Sequence, residues 1–460
     1  MTGTGRTTLV GCLIAGLAAA SAGVVHAQTP APASVGQPIR LSIGDAARLA
    51  AQQSSGVQGA QQRVAQAQAR VTQSRAALLP DLSANAVQSG RTFNSVTFGI
   101  TLPTGPGEPP LFNPAGQVLG PVNTLDLRGR VQTNIFDYSA LARLRTAQTA
   151  VGAARADVEN AGDQAAVQAT AAYLRVLRGD GQLQARIADS VLATELLSIA
   201  QSQLEAGVGV ALDVTRAQSQ LAGIRAQLIL ARNESDRARL DLRRSLNLAL
   251  DAPLVLTDSL SEESSDGLAY DEATATTRAL HDRPDLRALE EQLHAAQQTV
   301  SAIRAERLPS LSAFGDDGVI GANASRLLPT YDYGIQFSLP IFDGFRREGR
   351  IEEQQAMARE LAVRQRDLQQ QATVDVRGAL LDLSSARQAV AASREQLRLA
   401  EQEVAQARDR FRAGVAGNAD VVTAALQLNA ARSQYVDVLT SLQTARVSLA
   451  RAEGAVTQLR

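Results

Sequence analysis

The chain lacks tryptophan and lysine altogether, so all 45 of its basic residues are arginine, and they nearly cancel 46 acidic ones. A net charge of -1 gives no electrostatic footprint for nucleic acid, and none is expected as a partner. The single cysteine, Cys12, excludes an intrachain disulfide. Past the N-terminus only His281 and His294 remain, thirteen positions apart, with no metal-ligand spacing around them. Nucleophile motifs and glycine-rich phosphate loops are absent too, so no catalytic residue, metal site or cofactor is expected, and both histidines read as solvated helix residues. Aromatic residues make up 3% of the chain. Beyond the N-terminus no segment reaches the ~18 uninterrupted apolar residues of a spanning helix, so any membrane crossing must be made by strands.

What is present begins with a targeting segment. Arg6, an apolar run from Leu9 to Val25 and the small residue Ala27 have the form of a secretory signal covering residues 1–27. A competing lipoprotein reading centres on Cys12. Few residues precede it and the best apolar stretch follows it, which favours cleavage after Ala27 and a mature chain without cysteine.

Internal repetition organises the rest. Arg75 to Ala84 matches Arg304 to Ala313 at seven of ten positions. Ile135, Phe136 and Asp137 return as Ile341, Phe342 and Asp343. Ala206, Gly207 and Val208 with Asp213 and Val214 return as Ala413, Gly414 and Val415 with Asp420 and Val421. Three landmarks in one order predict two copies of a single plan, residues 38–253 and 254–460, each a helix, a strand pair and two long helices. The Pro-, Ser- and acid-rich stretch from Asp251 to Asp271 reads as a linker with little regular structure.

Heptads mark the long helices. Leu383, Val390, Leu397, Val404 and Phe411 recur every seven residues, and Val421, Leu428, Tyr435, Leu442 and Leu449 do the same, with alanine at many of the intervening d positions. Such a pattern makes a coiled-coil seam with closely approaching helices. Leu144, Val151, Val158, Ala165 and Ala172 repeat it in the first copy. A helix from Ser139 to Ala206 would be roughly 100 Å long at ~1.5 Å per residue, deeper than any globular domain.

Eleven of the 15 Phe and Tyr residues fall between Phe93 and Tyr138 or between Phe314 and Phe345. There Tyr331, Tyr333, Ile335, Phe337 and Leu339 alternate with Asp332, Gly334, Gln336 and Ser338, the period of a barrel strand facing lipid on one side and water on the other. Leu125 to Gln132 alternates likewise, and further strands are expected near Leu82 and Leu311. The Pro/Gly-rich stretch from Pro103 to Pro121 suits a surface loop. Four strands cannot close a barrel, and open edges are not tolerated in lipid, so the chain must oligomerise. Counting strands permits a dimer of eight, a trimer of twelve, or more.

Arg283 to Leu286, running through a polar helix into Leu308 to Leu311, resembles a motif of TolC-like outer membrane factors. Leu41 to Ala50 is similar to that family's N-terminal helix, and the two Ala-Gly-Val turns to its hairpin tips. The resemblance implies a mainly α fold with a membrane β-barrel portion, in which antiparallel coiled-coil helices form a periplasmic tunnel and four strands per chain complete a 12-strand barrel in a homotrimer. It implies an exit duct for efflux or type I secretion across the outer-membrane lipid, docked onto a periplasmic adaptor (membrane fusion) protein coupled to an inner-membrane pump. Gly207, Val208, Gly209, Gly414, Val415 and Gly417 would form the adaptor-docking tips. Asp213 and Asp420 would line the entrance, three copies giving a negative ring; N-capping is their plainer role. Thr423 and Ala416 stand where some members carry a second acid and a charged locking residue. A rival from another class is a periplasmic coiled-coil adaptor or scaffold without a pore, which should show one helical hairpin inserted in small β domains.

Overall fold

The computed structural model describes residues 38–98, 115–262, 271–415 and 417–459. The secretory segment, Cys12, Ala416 and most of the expected loop after Pro103 lie outside them. None of the described helices is long and apolar enough to cross a membrane.

The described elements follow one another along the chain in two runs. The first half runs β1 (Ile39–Leu41), α1 (Ile43–Gln53), α2 (Ser55–Ala76), β2 (Asp81–Asn94), β3 (Val118–Asp137), α3 (Tyr138–Glu205) and α4 (Ala211–Ser245). The second runs β4 (Leu254–Leu256), α5 (Glu272–Asp282), α6 (Pro284–Ala305), β5 (Ser310–Gly321), β6 (Leu328–Ser338), α7 (Arg346–Arg412) and α8 (Asn418–Ala452). The long helices have 68 and 67 residues and their partners 35 each. At ~1.5 Å per residue the long ones reach roughly 100 Å.

Four details differ from the sequence expectation. Two helices, not one, precede each strand pair, because Ser54 ends α1 in an extended conformation and caps α2 by accepting from the Val57 amide. The segment from Leu41 is not helical at its start: Ile39–Leu41 is a strand, and Ser42 and Asp45 form a capping box that opens α1. That strand pairs in parallel with Leu254–Leu256, so the linker contributes regular structure after all. Val118 to Pro121, expected in a loop, belongs to β3.

The heptads form the seam they predict. Leu383, Val390, Val404 and Phe411 of α7 are buried, as are Val421, Leu428, Leu442 and Leu449 of α8, with Ala424, Ala431, Ala445 and Ala452 beside them. Each such Val or Leu contributes about 1.5–3 kcal/mol on full burial. Helix α3 packs on α4 along one side and on α8 along another, while α7 packs on α8, so four long helices stand side by side. The largest core lies midway along this stem, where Tyr173 of α3 is buried and donates its hydroxyl to the Leu41 carbonyl at 3.0 Å.

The repeated Ile-Phe-Asp landmark is the junction between sheet and stem. Asp137 accepts from the Ala140 amide at 3.0 Å and caps α3. At the equivalent junction Asp343 receives the Arg347 guanidinium at 2.7 Å.

Candidate functional site

The candidate site residues lie at two ends of the molecule, a sheet at one and a pair of helix turns at the other. The sheet is antiparallel in the order β2-β3-β5-β6, with β2 and β6 as open edges within one chain. Residues paired across an antiparallel ladder share a face, so the register sorts side chains by chemistry. Leu82, Val131, Gly315 and Tyr333 form one transverse row. Displaced by one residue, Ser83, Arg130, Asp316 and Asp332 form the next, on the opposite face. Tyr333, Ile335, Phe337 and Leu339 are all half or more exposed, an apolar surface that the described residues leave open.

The polar face holds a charge network. Arg128 pairs with Asp126 at 2.9 Å and with Asp316 at 2.8 Å, and Arg130 reaches the second Asp316 oxygen at 3.2 Å. The Asp316 side chain is 2% exposed, so two guanidiniums compensate one carboxylate that the sheet has withdrawn from water. Such a network suits a surface lining a water-filled lumen. Alternation in Leu125 to Gln132 pointed to this face; the pairing with Asp316 required the strand register.

At the far end of the stem the two Ala-Gly-Val turns reverse the chain. Gly207 and Gly414 have φ of +74° and +71°, the left-handed region glycine enters without a Cβ penalty. The Val208 amide donates to the Gln203 carbonyl and the Gly207 amide to Leu204; in the second copy Val415 donates to Arg410 and Gly414 to Phe411. Both are the Schellman pattern that closes a helix C-terminus. Gly209 is needed for a different reason, since a Cβ there would lie 2.9 Å from the Leu204 nitrogen. Gly417 is extended, φ -78°, and starts α8. Val208 and Val415 project into solvent.

Asp213 and Asp420 sit in the first turns of α4 and α8. The capping expectation fails for both. Val210 and Gly417 occupy the cap positions, and neither helix has a side-chain cap hydrogen bond. Each aspartate is the third residue of its helix, where a negative charge still favours the helix N-terminus. Asp213 lies 3.8 Å from Arg216, while the exposed Asp420 makes no ion pair among the described residues. The two turns are tied together: the Asn418 amide donates to the Asp213 carbonyl at 2.8 Å, and Gln203 donates to the Phe411 carbonyl at 2.6 Å.

Sequence reading missed the polar ties between the two helix pairs. Glu195 of α3 receives Arg408 of α7 at 3.3 Å and also Arg412. Deeper in the stem the fully buried Asp189 carboxylate lies 3.1 Å from Arg186 and 2.9 Å from Arg432 of α8. Burial pushes its pKa up, against the pull of Arg432 and Arg186. Partners more than 200 positions apart leave no local signal in an arginine-rich chain.

With this architecture in view, the chain matches the profile of outer membrane efflux proteins over residues 46–248 and 275–455. It belongs to the outer membrane efflux protein family. Members of this family reside in the outer membrane, and the helical stem extends from there into the periplasm. The chain is 27% identical over 278 residues to the alkaline protease secretion protein AprF of Pseudomonas aeruginosa, covering 59% of this chain and 54% of AprF. It is 26% identical over 333 residues to the protein CyaE of Bordetella pertussis, covering 70% and 68%. The match thus spans about half the length of the first of these relatives. Among solved structures, the Campylobacter jejuni CmeC outer membrane channel superposes with a TM-score of 0.72 at 18% identity, over 90% of this chain and 85% of that one. The outer membrane protein VceC of Vibrio cholerae gives 0.69 at 18% identity, over 90% and 96%. These likenesses establish the helical-stem and barrel-sheet fold.

Proposed function

We propose that three copies of this chain close a twelve-strand barrel and a continuous helical tunnel, forming a passive exit duct for efflux or type I secretion. The observation that carries this reading is the four-stranded sheet with two open edges and chemically opposite faces, set on a stem roughly 100 Å long. Open edges in lipid demand partner strands. The apolar face bearing Tyr333, Ile335, Phe337 and Leu339 meets lipid, and the Arg128, Arg130 and Asp316 face lines water. Such a protein works by conduction, with no catalytic step. A periplasmic adaptor or scaffold is disfavoured because both strand pairs join in one sheet instead of separate small β domains.

In this reading the Gly207 to Gly209 and Gly414 to Gly417 turns are the periplasmic tips that dock an adaptor protein, itself coupled to an inner-membrane pump. Their exposed Val208 and Val415 offer apolar anchor points. Alkaline protease secretion by AprF and pyoverdine export by OpmQ indicate cargo classes open to such a duct. Asp213 and Asp420 line the entrance, where three copies of each favour cations. The test is conductance of the purified chain in planar bilayers under a KCl gradient. Cation preference is expected in the wild type and should shrink in Asp420→Asn; an unchanged reversal potential would remove Asp420 from the entrance. Absence of any conductance would remove the duct itself.

A further inference from the structure

The helical wall has two sides midway along the stem, and they differ in what covers them. On one side Tyr173 of α3 is bonded to Leu41 of the β1 strand, and Gln443 and Arg446 of α8 donate to the carbonyls of Ser261 and Glu262 in the linker. At 100° per residue, Gln168 and Arg175 of α3 and Thr444, Ser448 and Arg451 of α8 fall on the other side. There they line a cavity of about 890 Å³ with the start of α2 and the end of α4.

Three arginines from three helices converge on this cavity: Arg175, Arg244 and Arg451. All three are exposed, and none makes an ion pair or side-chain hydrogen bond among the described residues. Arg451 acts only at longer range, on Asp163 and Asp375. One acid, Asp241, lines the same space, so the cavity carries an excess of two positive charges. Hydroxyl and amide side chains, among them Thr444, Ser448 and Gln168, share the rest of the lining with small and apolar ones, and they can bond anionic oxygens. A volume of about 890 Å³ suits a small molecule.

We propose that this cavity is a binding site for small polyanions, molecules bearing two or more carboxylate or phosphate groups, held by Arg175, Arg244 and Arg451. Its position on the tunnel side of the wall rests on the duct reading; the site itself does not. In a duct it would set a cationic station midway along the path, opposite in sign to the acidic entrance.

The experiment is a calorimetric titration of the solubilised full chain with citrate, and with acetate as the monovalent comparison. Citrate is expected to bind, more weakly as salt rises, and acetate at least tenfold more weakly than citrate. The double variant Arg244→Gln/Arg451→Gln should lose at least tenfold in citrate affinity, whereas Arg244→Lys/Arg451→Lys, which keeps the charge, should retain most of it. Equal citrate binding by wild type and the glutamine variant overturns the proposal, as does no citrate binding by the wild type. Because the titration needs no pore, its outcome is separate from that of bilayer conductance. A conducting chain that ignores citrate loses the site alone, and a citrate-binding chain that does not conduct loses the duct alone.

Discussion

Gly414 and Gly223 are both solvent-exposed glycines with no heavy atom within 4 Å of a built Cβ, yet the backbone gives them opposite roles. Gly414 holds φ at +71°, where an L side chain collides with its own carbonyl, at a cost of about 1–2 kcal/mol. Gly223 lies inside α4, where glycine is about 1 kcal/mol worse than alanine. Gly414→Ala should therefore lower the thermal midpoint of the solubilised protein, and Gly223→Ala should raise it. Circular dichroism melts of the two single variants check this, and equal shifts would mean that the turn at Gly414 relaxes into another conformation. The turn itself was legible, because Ala-Gly-Val occurs twice before an aspartate. The role of Asp213 and Asp420 was not, since a carboxylate three residues past the cap position looks the same in sequence as one that caps.

At the scale of elements, the decisive contact is where α5, α6 and α7 meet. Pro284 opens α6, and Arg283 before it reaches forward to Asp285 at 2.8 Å and across to Asp375 of α7 at 2.8 Å. Its side chain is 8% exposed, while the acids keep 30% and 35% of their surface in water. Breaking a fully buried pair costs ~3–5 kcal/mol, and the wet carboxylates reduce that, so Arg283→Met should cost about 2 kcal/mol. Burial alone would raise the Asp375 carboxyl, but hydrogen bonds from Arg283 and Gln371 bring it below the ordinary 3.8. A lowered carboxyl stabilises the fold above the ordinary value, and this contribution disappears as pH falls through the folded-state value. Melting midpoints measured downward from pH 6 should thus fall more steeply below pH 4 in the wild type than in Arg283→Met; parallel curves would show that Asp375 does not depend on Arg283. The helix start at Pro284 follows from local chemistry, since a proline suits the first helical turn. Sequence reading had no access to Asp375, 92 positions away, because only the packing of α7 beside α6 brings the two together. The same limit explains why the seams of α7 and α8 could be read from their heptads while the Glu195 and Asp189 ties could not: periodicity records which face is buried, and pairing across helices depends on stagger.

The whole molecule turns on the two faces of one sheet. Strand β6 presents Ile335 on one face and Gln336 on the other, adjacent in sequence and both exposed in the single chain. Assembly should make them unequal, since closure of the barrel puts one in lipid and the other in water. An arginine on the lipid face near the bilayer midplane costs about 2–4 kcal/mol, and one facing the lumen costs little. Ile335→Arg should therefore deplete the heat-sensitive oligomer in outer-membrane fractions, while Gln336→Arg should leave it near wild-type abundance. The neighbouring Arg128 and Arg130 already show that this polar face accommodates guanidinium groups. If both variants assemble equally, the sheet packs against protein instead of lipid. If Gln336→Arg alone fails, the faces are reversed, with Tyr333 and Phe337 lining the interior.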